Sequence, residues 1–225
     1  MFEDNRQEKY RYYSEFFSGK AATTINQDLA VLFELSVDAY YSALYAGMSE
    51  LPITEEISRY INKVGKTSNR EMAARAAFNR EDPDVFAILN AAWKVQHEIH
   101  RMTGLLRFNA DSRGVYTARC SPDHFILPAL ADHFTLRFGE TPWAILDEKR
   151  GLCLCRTGNG PVQLIPASLS AIIPEQQDPL PESEIQWEEL WRLYHRSINI
   201  ESRKNTQLQR QFMPERYHKY LPEMK

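Results

Sequence analysis

Long apolar runs are missing from this chain: no stretch approaches the roughly 18 uninterrupted apolar residues of a membrane span, so no membrane association is expected. A signal peptide is missing too, since the first residues, MFEDNRQEKYRYY, are charged where an apolar run would stand. Cysteine is sparse. Cys120, Cys153 and Cys155 make an odd count with no disulfide framework, which agrees with a reducing compartment, and the cytoplasm is the expected location. The chain also lacks a GxxxxGK phosphate loop, a GxGxxG turn, a GxSxG elbow and a paired CxxC, so no cofactor is indicated. Internal repeats and low-complexity tracts are absent.

One charge sign is also missing locally. Residues 157–191 contain no Lys or Arg, and residues 175–189 hold six acids. The next segment reverses this. Residues 192–225 carry eight Lys or Arg against three Glu, a net of +5 in a chain that is −3 overall, which leaves −8 on residues 1–191. Such asymmetry fits a globular body with a basic arm that meets an anion, DNA or RNA being the commonest large one. A charged helical surface folded back on the acidic body is the other reading, and on charge alone the favoured one, since charge runs are usually solvated faces. A hydrophobic fraction of 43% in 225 residues is ample for a core.

Periodicity places helices first, strands in the middle and helices last. Residues 27–46 repeat apolar side chains at three- and four-residue steps (Leu29, Phe33, Val37, Tyr40, Tyr41, Leu44) and predict one helix. A second follows Pro52, with Thr54 as its expected N-cap and Gly65 as its stop; a third spans about Asn69–Asn79. Asp82-Pro83 opens a fourth that Gly104 should end. Residues 105–108, 114–120, 142–148, 152–156 and 162–166 read as strands joined in part by tight turns, interrupted by one helix over HFILPALADHFTLRF with Pro128 in its first turn. Residues 166–181 read as a loop, and a last helix runs from about Ser183 to Ile200 with Trp187, Leu190, Trp191 and Tyr194 on one stripe. The expectation is an α+β fold: a mostly antiparallel sheet of about five strands flanked by helices. A single domain is expected over 25–222, with strands in 105–166, a basic helical segment at 183–222, and a divergent segment at 1–24 before it.

Three constellations invite chemistry. His97-Glu98-Ile99-His100 resembles a zinc-protease signature, but that chemistry needs His at i and i+4, and position 101 is Arg. Cys153 and Cys155 share one face of a strand, yet with Cys120 they fall short of a zinc or iron–sulfur set, so no metal site is indicated. His133 with Asp132, near Asp123 and His124, has the residue types of an acid–base pair.

Four segments in order carry a resemblance. They are His-Arg-Met-x-Gly-x-x-Arg-Phe at 100–108, Pro-Asp-x-x-x-Leu-Pro-x-Leu-Ala-x-His-Phe-x-x-Arg-Phe at 122–138, and Pro-Trp-x-Ile-x-Asp-x-x-Arg at 142–150. The last joins Leu190-Trp191-x-x-Tyr194, Asn199-Ile200-x-x-Arg203-x-Asn205 and Met213-Pro214-x-Arg216-Tyr217-x-Lys219-Tyr220-Leu221-Pro222. Over about residues 50–222 the chain resembles the bacterial domain-of-unknown-function family labelled "probable DNA metabolism protein". Members are encoded beside a radical-SAM helix-hairpin-helix protein or fused to a uracil-DNA glycosylase-like domain. The resemblance therefore implies DNA repair or modification, with such a protein as partner; this chain lacks the CxxxCxxC of a radical-SAM cluster.

Of the motif residues, Arg101, Arg107, Arg137, Arg150, Arg203, Arg216 and Lys219, together with Lys204 of the basic tail, are expected to meet phosphates and Asn205 to join the nucleic-acid contact, although Arg107 and Arg137 can equally form buried ion pairs with Asp123 or Asp147; Tyr217 and Tyr220 are expected either to stack on unpaired bases or to dock the C-terminal segment onto the body. Two other readings stand beside this one. The chain is itself a hydrolase or base-processing enzyme with His100 or His133 as acid or base and Asp123 as orienter, or it is an adaptor that grips a protein and no DNA.

Overall fold

The structure, a computed structural model, describes Tyr13, residues 27–170 and residues 181–224. Most of the expected divergent segment 1–24 and residues 171–180 of the expected loop lie outside the described residues. The fold is α+β, with a five-stranded, mostly antiparallel sheet. Internal contacts divide the chain into two compact units, Met1–Ile99 with Asp123–Ala129, and His100–Pro122 with Leu130–Lys225.

The first unit is helical: α1 (Gln27–Leu35), α2 (Val37–Met48), α3 (Thr54–Gly65), α4 (Arg70–Phe78) and α5 (Pro83–Leu105) as far as Ile99. The single helix expected over 27–46 breaks at Ser36. Its backbone is extended and its hydroxyl accepts the Ala39 N–H at 3.3 Å, so serine caps a new helix instead of continuing the old one. Thr54 is the first helical residue and not the expected cap; Ile53 precedes it without a side-chain bond. Asn69 accepts the Met72 N–H at 2.9 Å and does cap α4. The α3 positions Ile57, Tyr60, Ile61 and Val64 are buried at helical spacing, and the Tyr60 hydroxyl donates to the Ala77 carbonyl at 3.4 Å.

Glu98 carries a structural load in this unit. Only 2% exposed, it accepts the N–H groups of Asp123 and His124, each at 2.8 Å, and so ties residues 123–129 to α5. The Phe125 N–H then donates to the Met48 carbonyl at 3.1 Å.

The second unit holds the sheet: β1 (Asn109–Ala110), β2 (Tyr116–Cys120), β3 (Trp143–Asp147), β4 (Leu152–Arg156) and β5 (Gln163–Pro166), in spatial order β1-β2-β3-β4-β5. The strand expected at 105–108 does not form. The Leu106 N–H still bonds the Met102 carbonyl at the end of α5, and the first strand is only two residues long. Phe108 packs instead on Phe134 and Phe138, at ring separations of 5.0 and 4.8 Å. β2 and β3 pair in parallel, because the connection between them contains a 3-10 turn (Leu127–Leu130), which takes Pro128, and the helix α6 (Ala131–Phe138). Phe134 of α6 meets the fully buried Trp143 at 6.2 Å. The other sheet face carries Ala144, Cys153 and Cys155, buried together beside Ile165.

The hairpin from β3 to β4 is locked by a buried ion pair. Asp147 accepts the Lys149 and Arg150 N–H groups and, at 2.7 Å, the Arg150 guanidinium. Gly151 follows with φ +63, the left-handed conformation in which a Cβ is strained, and its N–H closes the turn on the Asp147 carbonyl.

Asp82 gives a direct test of the helical unit. It accepts the Asp84 and Val85 N–H groups as the cap of α5 and pairs with Lys63, whose hydrogen bond holds its carboxyl below the usual range. We expect Asp82→Ala to cost about 1–2 kcal/mol of stability in denaturant titrations at neutral pH. The wild-type contribution is present above the ordinary value of 3.8 and is lost as pH falls through the lower folded value, so the wild-type advantage over the variant should shrink in acid.

Candidate nucleic-acid interface

Residues 182–224 form α7 (Glu182–Ile198), a 3-10 turn (Glu201–Arg203), α8 (Thr206–Phe212) and two further 3-10 turns, Glu215–Tyr220 and Pro222–Met224. Asn205 caps α8 by accepting the Leu208 N–H at 2.9 Å, so this expected contact residue also has a structural task. Pro214 ends the helical run, and the turn after it lies against β2.

Two carboxylates hold the end of the chain. Glu148, at the β3–β4 hairpin, accepts the Tyr220 hydroxyl at 2.7 Å and the Lys219 ammonium at 3.2 Å, and Arg119 of β2 stands 3.5 Å away. Burial alone would raise the Glu148 carboxyl, but Tyr220, Lys219 and Arg119 together hold it below its ordinary range. The same surroundings push the Tyr220 hydroxyl up to about 12, with burial the leading cause. Glu223 supplies the second tie, accepting the Arg107 guanidinium at 2.5 and 3.4 Å. Burial raises this carboxyl too, and the Arg107 hydrogen bond, its charge and the Trp191 indole outweigh it. Tyr217, between the two ties, is 1% exposed.

The expected contact residues therefore divide. Arg107 is engaged by Glu223 and stacks 5.4 Å over Trp191; Arg150 is buried against Asp147 and the Pro122 carbonyl; Lys219 is paired; Tyr217 is core. Arg101 is half-buried on α5. Arg137 is exposed, 5.8 Å over the Phe138 ring, and Arg216 is exposed, 4.6 Å over Tyr217. Arg203 and Lys204 are exposed between α7 and α8. Phe212, at the end of α8, is 63% exposed; nothing in the sequence marks it out, since there it reads as one more apolar residue.

The candidate acid–base residues stand as follows. His100 and His133 are exposed residues of the second unit, the His133 ring meeting Phe134 edge-on at 4.8 Å, while Asp123 belongs to the first unit and donates its N–H to Glu98. Among the described residues no group of three His, Cys, Asp or Glu is placed to hold a metal ion. Cys153 and Cys155 are buried, and the hydrogen bond with Cys155, with burial, pushes the Cys153 thiol up, away from the reactive thiolate.

Removing the Glu148 tie should free the end of the chain. Glu148→Ala is expected to make residues 214–224 the first site of limited proteolysis, while Glu148→Asp, with a shorter reach, gives partial release. Because Glu148 and Glu223 both sit below their ordinary value of 4.5, the stability they contribute is complete above that pH and disappears as pH falls through the lower folded values. Proteolysis of the wild-type chain at the C-terminal end should accelerate in that window.

No curated protein and no solved structure is similar enough to count as a match. A protein-family profile does match, over residues 53–223, and its description is a domain of unknown function, DUF4130. That span takes in α4, α5, the sheet, both glutamate ties and the exposed cations, and the chain belongs to the DUF4130 family.

Proposed function

We propose that this chain is a nucleic-acid-binding component of DNA metabolism, contacting phosphates through the segment that joins α7 to α8. The observation that carries the reading is the exposure of cations and a ring along this stretch. Arg203 and Lys204 stand exposed on the segment itself, and the Phe212 ring, 63% exposed, follows at the end of α8. Exposed cations interleaved with an exposed ring suit a single strand, where phosphates give affinity and a base can stack. Docking of residues 214–224 gives this segment a fixed end, which lowers the ordering cost of binding. The resemblance to DNA-metabolism proteins points the same way, and it suggests that a radical-SAM or glycosylase-type partner supplies the chemistry.

Fluorescence anisotropy with labelled single- and double-stranded DNA at several salt concentrations tests the reading. We expect affinity to fall steeply with salt, and Arg203→Ala with Lys204→Ala to reduce the slope of log K against log salt by about 0.7 for each single-strand phosphate that is no longer neutralised. Phe212→Ala should cost about 1–3 kcal/mol on single strands, because a base then has no ring to stack on. Lys219→Ala should leave the slope unchanged. An equal reduction on replacing Lys219, or none on replacing Arg203 and Lys204, overturns the assignment.

A further inference from the structure

A cavity of about 200 Å³ in the first unit is lined by Arg80, Phe86, Leu89, Asn90 and Trp93. Arg80 stands in the turn before α5, and the other four belong to the first three turns of that helix. At 3.6 residues per turn these four fall within an arc of about 100°, so they share one face. Both rings are largely in solvent, Phe86 at 54% and Trp93 at 56%. His97, one turn further on, packs on Trp93 at 4.0 Å and braces it.

Spacing limits what fits. Phe86 and Trp93 are seven residues apart, about 10.5 Å along the axis, and helical side chains lean the same way, so the spacing carries over to the rings. Aromatic rings contact at centroid separations of about 4.5–7 Å, so one ring inserted between two others needs about 9–14 Å. One planar group fills this gap. The cavity is smaller than the roughly 300 Å³ at which sites for drug-sized ligands begin, so a dinucleotide does not fit.

Polar chemistry limits it further. The Asn90 amide offers a donor and an acceptor, and the Arg80 guanidinium offers a cation. Both side chains are exposed, and neither has a hydrogen-bond or ion-pair partner among the described residues. A proline of a peptide could rest on the rings, but it would leave the guanidinium without an anion. A base with its phosphate satisfies the rings, the amide and the cation together.

We propose that this cavity is a nucleotide-binding site in which the base inserts between Phe86 and Trp93, Asn90 reads its edge and Arg80 meets its phosphate. The base whose edge best matches an Asn amide is adenine. A free nucleotide and one residue of a single strand present the same chemistry. The cavity belongs to the first unit, whereas Arg203, Lys204 and Phe212 belong to the second, so this inference does not rest on the reading of the C-terminal segment.

Isothermal titration calorimetry of the full chain with dAMP, deoxyadenosine and dTMP tests it. dAMP is expected to bind more tightly than either of the others. Arg80→Gln should weaken dAMP about tenfold and leave deoxyadenosine unchanged. Asn90→Leu should remove the preference over dTMP, and Trp93→Leu should weaken all three about tenfold or more. These positions are exposed, so the fold survives each change. Arg203→Ala with Lys204→Ala should leave dAMP binding intact, which separates failure here from failure of the C-terminal reading. A single-stranded dA oligonucleotide identifies the source: weakened by Trp93→Leu, it is the strand, and unaffected, it is the free nucleotide. No heat with dAMP at millimolar concentration, or equal binding by wild type and Trp93→Leu, overturns the proposal. So does a proline-rich peptide that binds where dAMP does not and is lost in Trp93→Leu.

Discussion

The pairing of two carboxylates with the end of the chain is the constraint on which the account of residues 182–224 depends. Glu148 reaches from the body to Lys219 and Tyr220, and Glu223 reaches from the tail to Arg107. The two ties run in opposite chemical directions, an acid on the sheet hairpin in one and a cation before β1 in the other. They therefore fix the register of residues 214–224 as well as their attachment. A segment that is strongly basic by count is in this way divided into a docked end, where Lys219 meets an acid of the sheet hairpin, and an exposed stretch before it that carries Arg203 and Lys204. Isolated surface pairs contribute little, but the half-buried geometry around Glu148 and Glu223, with the buried Tyr217 between them, makes a network.

The hairpin that presents Glu148 has its own internal support. Asp147 and Arg150 neutralise one another in a buried site, and a glycine at positive φ completes the turn. Taking Asp147 out of water penalises its charge, so its carboxyl is raised despite Arg150. The pair is weak as a source of stability. Its value lies in holding one turn conformation, so that the next residue, Glu148, points its carboxylate at the tail. The resemblance-derived expectation of a phosphate contact at Arg150 meets here a buried guanidinium engaged by Asp147 and the Pro122 carbonyl.

Much of this architecture is legible in the sequence, for identifiable reasons. Asn69 and Asp82-Pro83 announce α4 and α5 through side chains that satisfy helix N–H groups, and the β-branched or alternating runs after Gly114 announce β2 to β5. Ser36 is not legible as a break, because the apolar period continues through it and only the backbone shows the competing hydrogen bond. Residues 105–108 read as a strand because they are apolar, but they belong to the end of a helix and to an aromatic cluster. The role of Glu98 is hidden inside a misleading His-Glu-x-His string, since its partners are backbone N–H groups 25 and 26 residues away. For the candidate interface the limit is of the same kind: composition counts cations, but only three-dimensional pairing tells Lys219 from Arg203.

Hydrogen exchange of the full chain, with and without a single-stranded oligonucleotide, tests that division most directly. Slow exchange is expected around residues 217–224 in the free protein, unchanged by DNA, with new protection over residues 203–212 when the oligonucleotide binds. Fast exchange at the C-terminal end in the free chain, with protection appearing there only on DNA addition, would contradict it and make the docked end the true contact surface.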